Sequence, residues 1–421
     1  MQTATRSTTR FQPGHLPRRS AQRRARPLRI GLIAHPLRTG GGKAVGQSLI
    51  AAMGRLGPQN EYLVTCPPRM GYEEIICHLP HAESLVIPPR GPLGAWIQWQ
   101  GRLCRRLIEA KLDVAFSLAN FPVPGLAVPQ AVLLHNPHLV YPPDHAPHPN
   151  LLTRWISRTR RAGFARMIRR ADMVFCQTRT MARRLGRIVS PSPRTALCPN
   201  AVSAQAAAGS EQVPQVFDQL RGRFVLFCPS HPFHHKNIDR LIDAIARHRE
   251  LLEDVTVLLT FDQANPAAAK LLSRAAAAGL DRQVRNVGIL PQAQLQAHYR
   301  SADAMILPTS IESFSGTYVE AMQFGCPILT SDMDFAHDVC GDAAVYFDPH
   351  DSLSICWAIR HLQQDAHLRD QLRQAAAVRS RQLARSWDQI AADVLGHLRA
   401  LATGETPSKH TGSDAIPTDT H

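Results

Sequence analysis

Short, almost continuous apolar runs alternate along this chain with longer stretches of helical periodicity, and the alternation runs through twice. RIGLIA from Arg29, then Tyr62–Thr65, Val114–Ser117, Ala131–His135, Met173–Cys176 and Thr195–Cys198, read as strands. After Asn200 the pattern resumes with Phe224–Cys228, VTVLLT, Val284–Leu290, Ala304–Leu307 and Cys326–Thr330. Strands that alternate with helices build a parallel, doubly wound sheet whose ligands lie at the carboxyl ends of the strands. A chain of 421 residues can bury two sizeable cores. The expected fold class is therefore α/β, with two Rossmann-like, doubly wound parallel-sheet domains over residues 29–202 and 203–385. An Ala- and Gln-rich connection, Ser203 to Gln215, joins them. A last amphipathic segment, residues 386–402, carries Trp387, Ile390, Val394, Leu395, Leu398 and Leu401 on one side.

Charge divides the chain as well. The formal net charge is +15, but residues 1–200 hold 29 Lys and Arg against 8 Asp and Glu, a net of +21. The remainder holds 19 against 25, a net of −6. A basic half calls for an anionic partner: nucleic acid, an anionic lipid surface or a phosphorylated acceptor. Residues 1–28 carry seven arginines and no acidic residue, and they are expected to be disordered, as are the polar residues 403–421. The arginine-rich tail has no apolar core of the kind a secretory signal needs. Residues 114–143 are uncharged, yet Pro122, Pro124, Pro129 and Pro137 rule out a spanning helix there. The nine cysteines are scattered without a C-x-x-C pair, which suits a reducing compartment.

The most informative stretch is IESFSGTYVEAMQFGCP, Ile311 to Pro327. It follows the strand at Ala304–Leu307, and Thr317 to Phe324 can form about two helical turns closed by Gly325 and Pro327. The amides of Gly316, Thr317 and Tyr318 would then be unpaired at a helix N-terminus, where the macrodipole favours a phosphate. Glu312 precedes that helix and Glu320 lies inside it, so one carboxylate can stand on each side of a bound phosphate.

Two glutamates at this spacing, followed by the run Ala321 to Pro327, Ser331-Asp332 and GDAA-x-x-FDP from Gly341 to Pro349, resemble the donor site of retaining family-4 glycosyltransferases with the GT-B fold. The resemblance implies that Glu320 binds the nucleotide ribose, that Glu312 binds hydroxyls of the transferred sugar, and that the backbone from Ser313, Phe314, Ser315 and Gly316 to Thr317 and Tyr318 holds the diphosphate. It further implies a lysine at the KN pair, Lys236-Asn237, that reaches the diphosphate and offsets charge on the departing nucleotide. Many family members place an arginine a few residues earlier, where this chain has Ser230 and His231. His231, His235 or an arginine of the first domain could supply that charge, and Ser230 is carried as a donor contact. Gly288 and Leu290 resemble the turn whose backbone brackets the nucleobase. Gly41 and Gly42, in HPLRTGGG before a helix from Lys43 to about Leu56, resemble the glycine loop that faces the donor phosphates across the cleft. A P-loop is excluded there, since Ala44 follows Lys43 and Leu37 occupies the first glycine's place. His135 closes AVLLHNP at a strand end, where a family histidine approaches the sugar.

Other features admit two readings. His138, His145 and His148 lie among prolines, and a loop rich in His and Pro is the simpler account than a metal cluster. Asp332-Met333-Asp334 has the form of a metal-binding triplet, but no metal site is assigned to it. Between Arg154 and Arg187 the chain is heavily basic, with Trp155, Ile156, Phe164, Met167 and Ile168 interleaved. That pattern fits a helix packed on the sheet whose outer face meets lipid or acceptor phosphate, with a merely solvated face as the alternative.

The expected function is transfer of a glucose- or mannose-type hexose from a nucleoside-diphosphate sugar to a hydroxyl of a glycan or lipid-linked glycan. Retention at the anomeric carbon is what the resemblance implies. Lys236, Glu312 and His135 are the catalytic candidates. No cofactor is expected beyond the nucleotide sugar as co-substrate, no catalytic metal, and no nucleic acid partner. A cytoplasmic enzyme is expected, peripheral at the inner membrane face through its basic first domain. A sugar-nucleotide epimerase or phosphorylase on the same fold, and a non-catalytic polyanion-binding protein, are the rival readings.

Overall fold

In the computed structural model, residues 26–88, 103–145, 150–202 and 212–405 are described. Most of both expected tails, His148 and the connection over 203–211 lie outside them. Two separate parallel sheets form. The first holds β1 (Arg29–Ile33), β2 (Glu61–Cys66), β3 (Ala82–Val86), β4 (Val114–Ser117), β5 (Gln130–Leu134), β6 (Met173–Cys176) and β7 (Arg194–Leu197), in the order β3-β2-β1-β4-β5-β6-β7. The second holds β8 (Phe224–Cys228), β9 (Val255–Leu259), β10 (Val284–Asn286), β11 (Ala304–Leu307), β12 (Ile328–Ser331) and β13 (Ala344–Phe347), in the order β10-β9-β8-β11-β12-β13. All strand pairings within the two sheets are parallel.

The apolar runs explain the strands. β4, β5, β6, β8, β9, β11 and β12 are buried at every position, as strands covered on both faces must be. The edge strand β3, AESLV, is half exposed and carries no apolar run, so the sequence did not announce it. Each sheet reverses its winding beside its first strand, at β1 and β8, and the loops after these strands turn toward the space between the sheets.

The last helix, Trp387–Thr403, follows the antiparallel bridge Val202–Arg385, where two chain crossings lie side by side. Its Ile390, Ala391, Val394 and Leu398 join the core of the first sheet with Leu49, Ile50 and Met53. Ser386 caps it through a reciprocal capping box with Gln389. This helix therefore packs on the first domain, and Arg55 pairs with Asp388 at 2.6 Å. Residues 26–28 are part of this domain rather than of a tail. Leu28 is buried, its amide donates to Asn60 Oδ1 at 3.1 Å, and Arg26 lies 3.4 Å from Asp113.

Two helical expectations need correction. The glycine-rich segment is not a turn before a helix but the helix's first turn, since the helix runs Gly40–Leu56, with Gly40 at φ +64°. The arginine-rich helix, Leu151–Ile168, buries only Phe164 and Ile168, while Trp155 and Ile156 stand exposed. Two long C-terminal helices, Ser352–Gln364 and Ala366–Leu383, were not anticipated. No helix among the described residues is long and apolar enough to cross a membrane.

Candidate active site

The site is assembled at the carboxyl ends of the strands of both sheets. In the second domain the loop after β8 and the loop after β11 are stitched together. Asn237 takes a left-handed φ of +51°, which asparagine tolerates, and its buried amide donates to the Pro308 carbonyl at 2.9 Å and to Ser310 Oγ. The His235 carbonyl accepts from the Ser310 amide at 2.8 Å and from Thr309 Oγ1 at 3.1 Å. These bonds bring Lys236 against Glu312, and the two form an ion pair with side chains only 14% and 15% exposed.

The motif helix runs Gly316–Gln323, one residue ahead of the expected span. Ser315 precedes it at φ +46° and its side chain caps no amide, so Gly316 and Thr317 open the helix beside the ion pair. Tyr318 does not add a third free amide, because its N–H donates to the Ser315 carbonyl at 3.2 Å. The helix stops where Gly325 adopts φ +66° and the Cys326 amide returns to Ala321 O at 2.9 Å.

The first domain faces this with side chains from several loops. Asn120, at φ +70° after β4, accepts from the amides of His135 and Asn136, each at 2.9 Å. Its Oδ1 being so used, its Nδ2 donates to His135 Nε2 at 3.2 Å, which puts the ring proton on Nδ1. Burial holds His135 down to about 4, so the imidazole is neutral near pH 7. Nδ1 is buried without a hydrogen-bond partner among the described residues. Gly42 lets the ring pass closely, since a Cβ there would lie 3.1 Å from His135 Nε2 and the ring would have to shift by a few tenths of an ångström.

Between the two rims lies a cavity of about 500 Å³. It brings together nine of the expected residues: Gly41, Gly42, His135, Lys236, Glu312, Ser313, Ser315, Gly316 and Thr317. It adds Asn136, His138, Gln177, Asn200 and His235, and Gln177 Nε2 donates to Asn200 Oδ1 at 2.5 Å. His138 from the first domain meets His235 from the second edge-on, with ring centroids 5.1 Å apart. Burial, followed by the neighbouring Lys236, lowers His235 to about 3.

Six expected residues do not line this cavity. Ser230 is buried and its hydroxyl turns to the His231 carbonyl at 3.3 Å. Phe314 is buried and borders a second cavity of about 310 Å³ with Gln177, Arg179, Arg379 and Arg385. Tyr318 is buried with its hydroxyl 2.6 Å from Thr330 Oγ1. Glu320 lies one turn along the motif helix, where burial raises its carboxyl and Tyr299 donates to it at 3.0 Å. Gly288, at φ +80°, and Leu290 sit beyond β10. No arginine borders the main cavity, so among the described lining residues the cation beside Glu312 is Lys236, with His135, His138 and His235 around it.

Both aspartates of the Asp-x-Asp triplet have side-chain partners. Asp332 pairs with His337 at 2.6 Å. Asp334 accepts from Tyr141 of the first domain at 2.9 Å and pairs with Arg184 at 2.6 Å, and the Arg184 guanidinium lies 3.8 Å over the Tyr141 ring. Asp338 accepts from the Thr180 amide at 2.6 Å, at the start of the helix Arg179–Gly186. Asp334 and Asp338 thus clasp one domain to the other, while the Asp332 pair stays within the second domain.

Two family models cover most of the chain. Residues 39–201 match the glycosyl transferase 4-like domain, and residues 212–379 match glycosyl transferases group 1. The chain belongs to the family-4 glycosyltransferases. The 2-deoxystreptamine glucosyltransferase of Streptomyces kanamyceticus is 28% identical over 240 residues, 53% of this chain and 58% of that protein. The phosphatidyl-myo-inositol mannosyltransferase of Mycobacterium leprae is 28% identical over 208 residues, 49% and 53% of the two. The chain thus spans about half the length of the curated relatives it matches. Among solved structures, sucrose-phosphate synthase from Thermosynechococcus elongatus superposes with a TM-score of 0.68 at 16% identity, over 90% of this chain and 100% of that one. Anabaena HepE, in complex with UDP and glucose, gives 0.65 at 18% identity over 88% and 100%. WaaG, a glycosyltransferase of lipopolysaccharide biosynthesis, gives 0.62 at 16% over 88% and 99%. The fold is GT-B.

What sequence reasoning missed is Asn120, which supports His135, and Gln177, which lines the cavity. Asn120 follows β4 in SLANFP, a context with no motif, and Gln177 follows β6 in CQT. Position at the carboxyl end of a parallel strand was the one signal available for both.

Proposed function

We propose that this glycosyltransferase moves a glucose- or mannose-type hexose from a nucleoside-diphosphate sugar to a hydroxyl of a glycan or lipid-linked glycan, with retention at the anomeric carbon. The observation that carries the reading is the Lys236–Glu312 pair beside the helix start at Gly316 and Thr317, facing Gly42 and His135 across one cavity. A bound donor would divide that pair. The diphosphate takes Lys236 and the two amides, while Glu312 turns to hydroxyls of the sugar. Glu320, beside Tyr299, is the ribose contact, and the Gly288–Leu290 turn is the base contact.

The chemistry asks for one bond to break and one to form on the same face of the sugar. The bond from the anomeric carbon to the β-phosphate oxygen breaks and its electron pair leaves with the diphosphate, where Lys236 and the amides stabilise it. The acceptor oxygen bonds to the anomeric carbon, and its proton passes to the departing phosphate oxygen. Neutral His135 borders the cavity beside Gly42 and carries no charge to compete with Lys236. Charge on the leaving group is met by these protein groups, and no catalytic metal enters the scheme. The solved relative crystallised with UDP and glucose supports a donor of this class. A cytoplasmic enzyme working at the inner membrane face completes the reading.

The stereochemical claim is tested by proton NMR of the first product formed from an α-linked nucleotide sugar. An α-linked product is expected, and an initial β-linked product would overturn retention.

A further inference from the structure

The arginine-rich helix Leu151–Ile168 packs against the core through its second half alone, where Phe164 and Ile168 are buried and Phe121 meets Phe164 edge-on at 5.6 Å. In its first two turns nothing is buried. Leu151, Leu152, Trp155 and Ile156 are 81%, 64%, 63% and 48% exposed. At roughly 100° per residue these four span about 140° of the helix circumference, centred opposite Phe164 and Ile168. Exposed Arg158 and Arg160 fall on either edge of that apolar arc, and exposed Arg166, Arg169 and Arg170 continue the charge along the helix. Asp and Glu are absent from the whole span.

We infer that this helix face is a docking surface for an anionic lipid bilayer, with Trp155 and the three aliphatic side chains entering the interface and the flanking arginines binding lipid phosphates. An apolar wedge bordered by guanidinium groups on both sides matches a plane with an apolar interior and a phosphate surface. Tryptophan is favoured at that depth, where one end of the ring is apolar and the other wet. The position suits the reaction as well. The same helix packs on the turn Pro137–Leu139, and Pro137 and His138 border the main cavity. An acceptor anchored in the bilayer would therefore arrive at the first-domain rim. This last link rests on the proposed acceptor class, whereas the docking itself does not.

The test is sedimentation of the full chain with vesicles of phosphatidylcholine, with and without phosphatidylglycerol, alongside nucleotide-dependent thermal shifts. Two double variants are compared with the parent: Leu152→Ser with Trp155→Ser, and Arg158→Gln with Arg160→Gln. Both alter exposed side chains, and unchanged melting temperatures check that the fold is kept. The parent is expected to pellet with phosphatidylglycerol vesicles and weakly with neutral ones. Each double variant should lower the partition coefficient roughly tenfold or more, in line with losing buried apolar area or surface charge. Parent protein that stays in solution, or variants that bind as tightly as the parent, would overturn the inference. So would a dimer in sedimentation velocity that the Leu152 and Trp155 changes dissociate, because the face would then belong to a second copy. Vesicle binding without any nucleotide response would leave the docking surface standing and count against the transferase reading instead.

Discussion

The two domains share one architecture and differ in how they make their half of the site. The second concentrates its chemistry in two short segments, Lys236-Asn237 and Ile311–Thr317, which backbone bonds to His235 and Ser310 hold together. The first gathers its contribution from segments after β1, β5, β6 and β7, with Asn120 after β4 supporting His135 from behind. Their charge differs in the same sense: +21 over the first 200 residues against −6 over the rest. A contiguous site on a helix start suits a constant ligand portion such as a diphosphate. A site spread over loops can vary residue by residue, which suits an acceptor.

The largest expected effect breaks the second domain's half alone. Lys236→Ala should lower turnover about a hundredfold or more, the scale for losing a preorganised charge-stabilising group. Near-normal turnover in steady-state assays would place the leaving-group charge elsewhere. The first domain's half is broken most cleanly at Asn120, not at the cavity wall. Asn120→Ala removes the acceptor for two backbone amides and leaves a left-handed φ without its side-chain compensation. A loss of about 2–4 kcal/mol in denaturant unfolding is expected. His135→Ala, which keeps Asn120, should lower turnover with much less change in stability.

The joint between the halves gives a smaller effect. Asp334→Ala strips the partners of Tyr141 and of Arg184, whose side chain is 13% exposed. Partial exposure of Asp334 reduces the cost to about 1–2 kcal/mol. A melting transition that splits in two would show that the clasp couples the domains.

Smallest per step is the pH response, and it sharpens the comparison because buried histidines lie on both sides, with His135 and His235 lining the cavity and His35 outside its lining. Burial lowers His35 and His135 to about 4 and His235 to about 3, all below the ordinary 6.5. Unfolded chains take up these protons near pH 6.5 and the folded one does so only near pH 4 or below. Stability is therefore fully present above about pH 6.5 and falls as the pH drops toward 4, by at most about 1.4 kcal/mol per pH unit for each histidine. Replacing His135 by Gln should flatten the slope of unfolding free energy between pH 6 and 5.

What could be read from the sequence follows the same division. Strands buried on both faces were legible because apolar runs such as MVFC and AMIL leave no other placement. The second domain's share of the cavity was legible because its residues fall in two short runs of the chain, one at Lys236 and one over Ile311–Thr317. The edge strand β3 was not, since none of its residues is buried and its sequence, AESLV, has no period to find. The exposed Trp155 could not be told from a core residue, because periodicity shows that a helix has a face without showing which way it points. Asn120 and Gln177 acquire meaning only when the sheet order brings the loops after β4 and β6 beside those after β1 and β5.

The central claim, that a nucleotide sugar is held by the second domain's motif, is tested most directly by thermal stabilisation with UDP, GDP and ADP and their common sugar conjugates. The parent protein is compared with Glu320→Gln, which retains an acceptor for Tyr299. The account predicts a clear rise in melting temperature with one nucleotide family in the parent and its loss or strong reduction in the variant. No rise with any of them at millimolar ligand, or an equal rise in parent and variant, would contradict it.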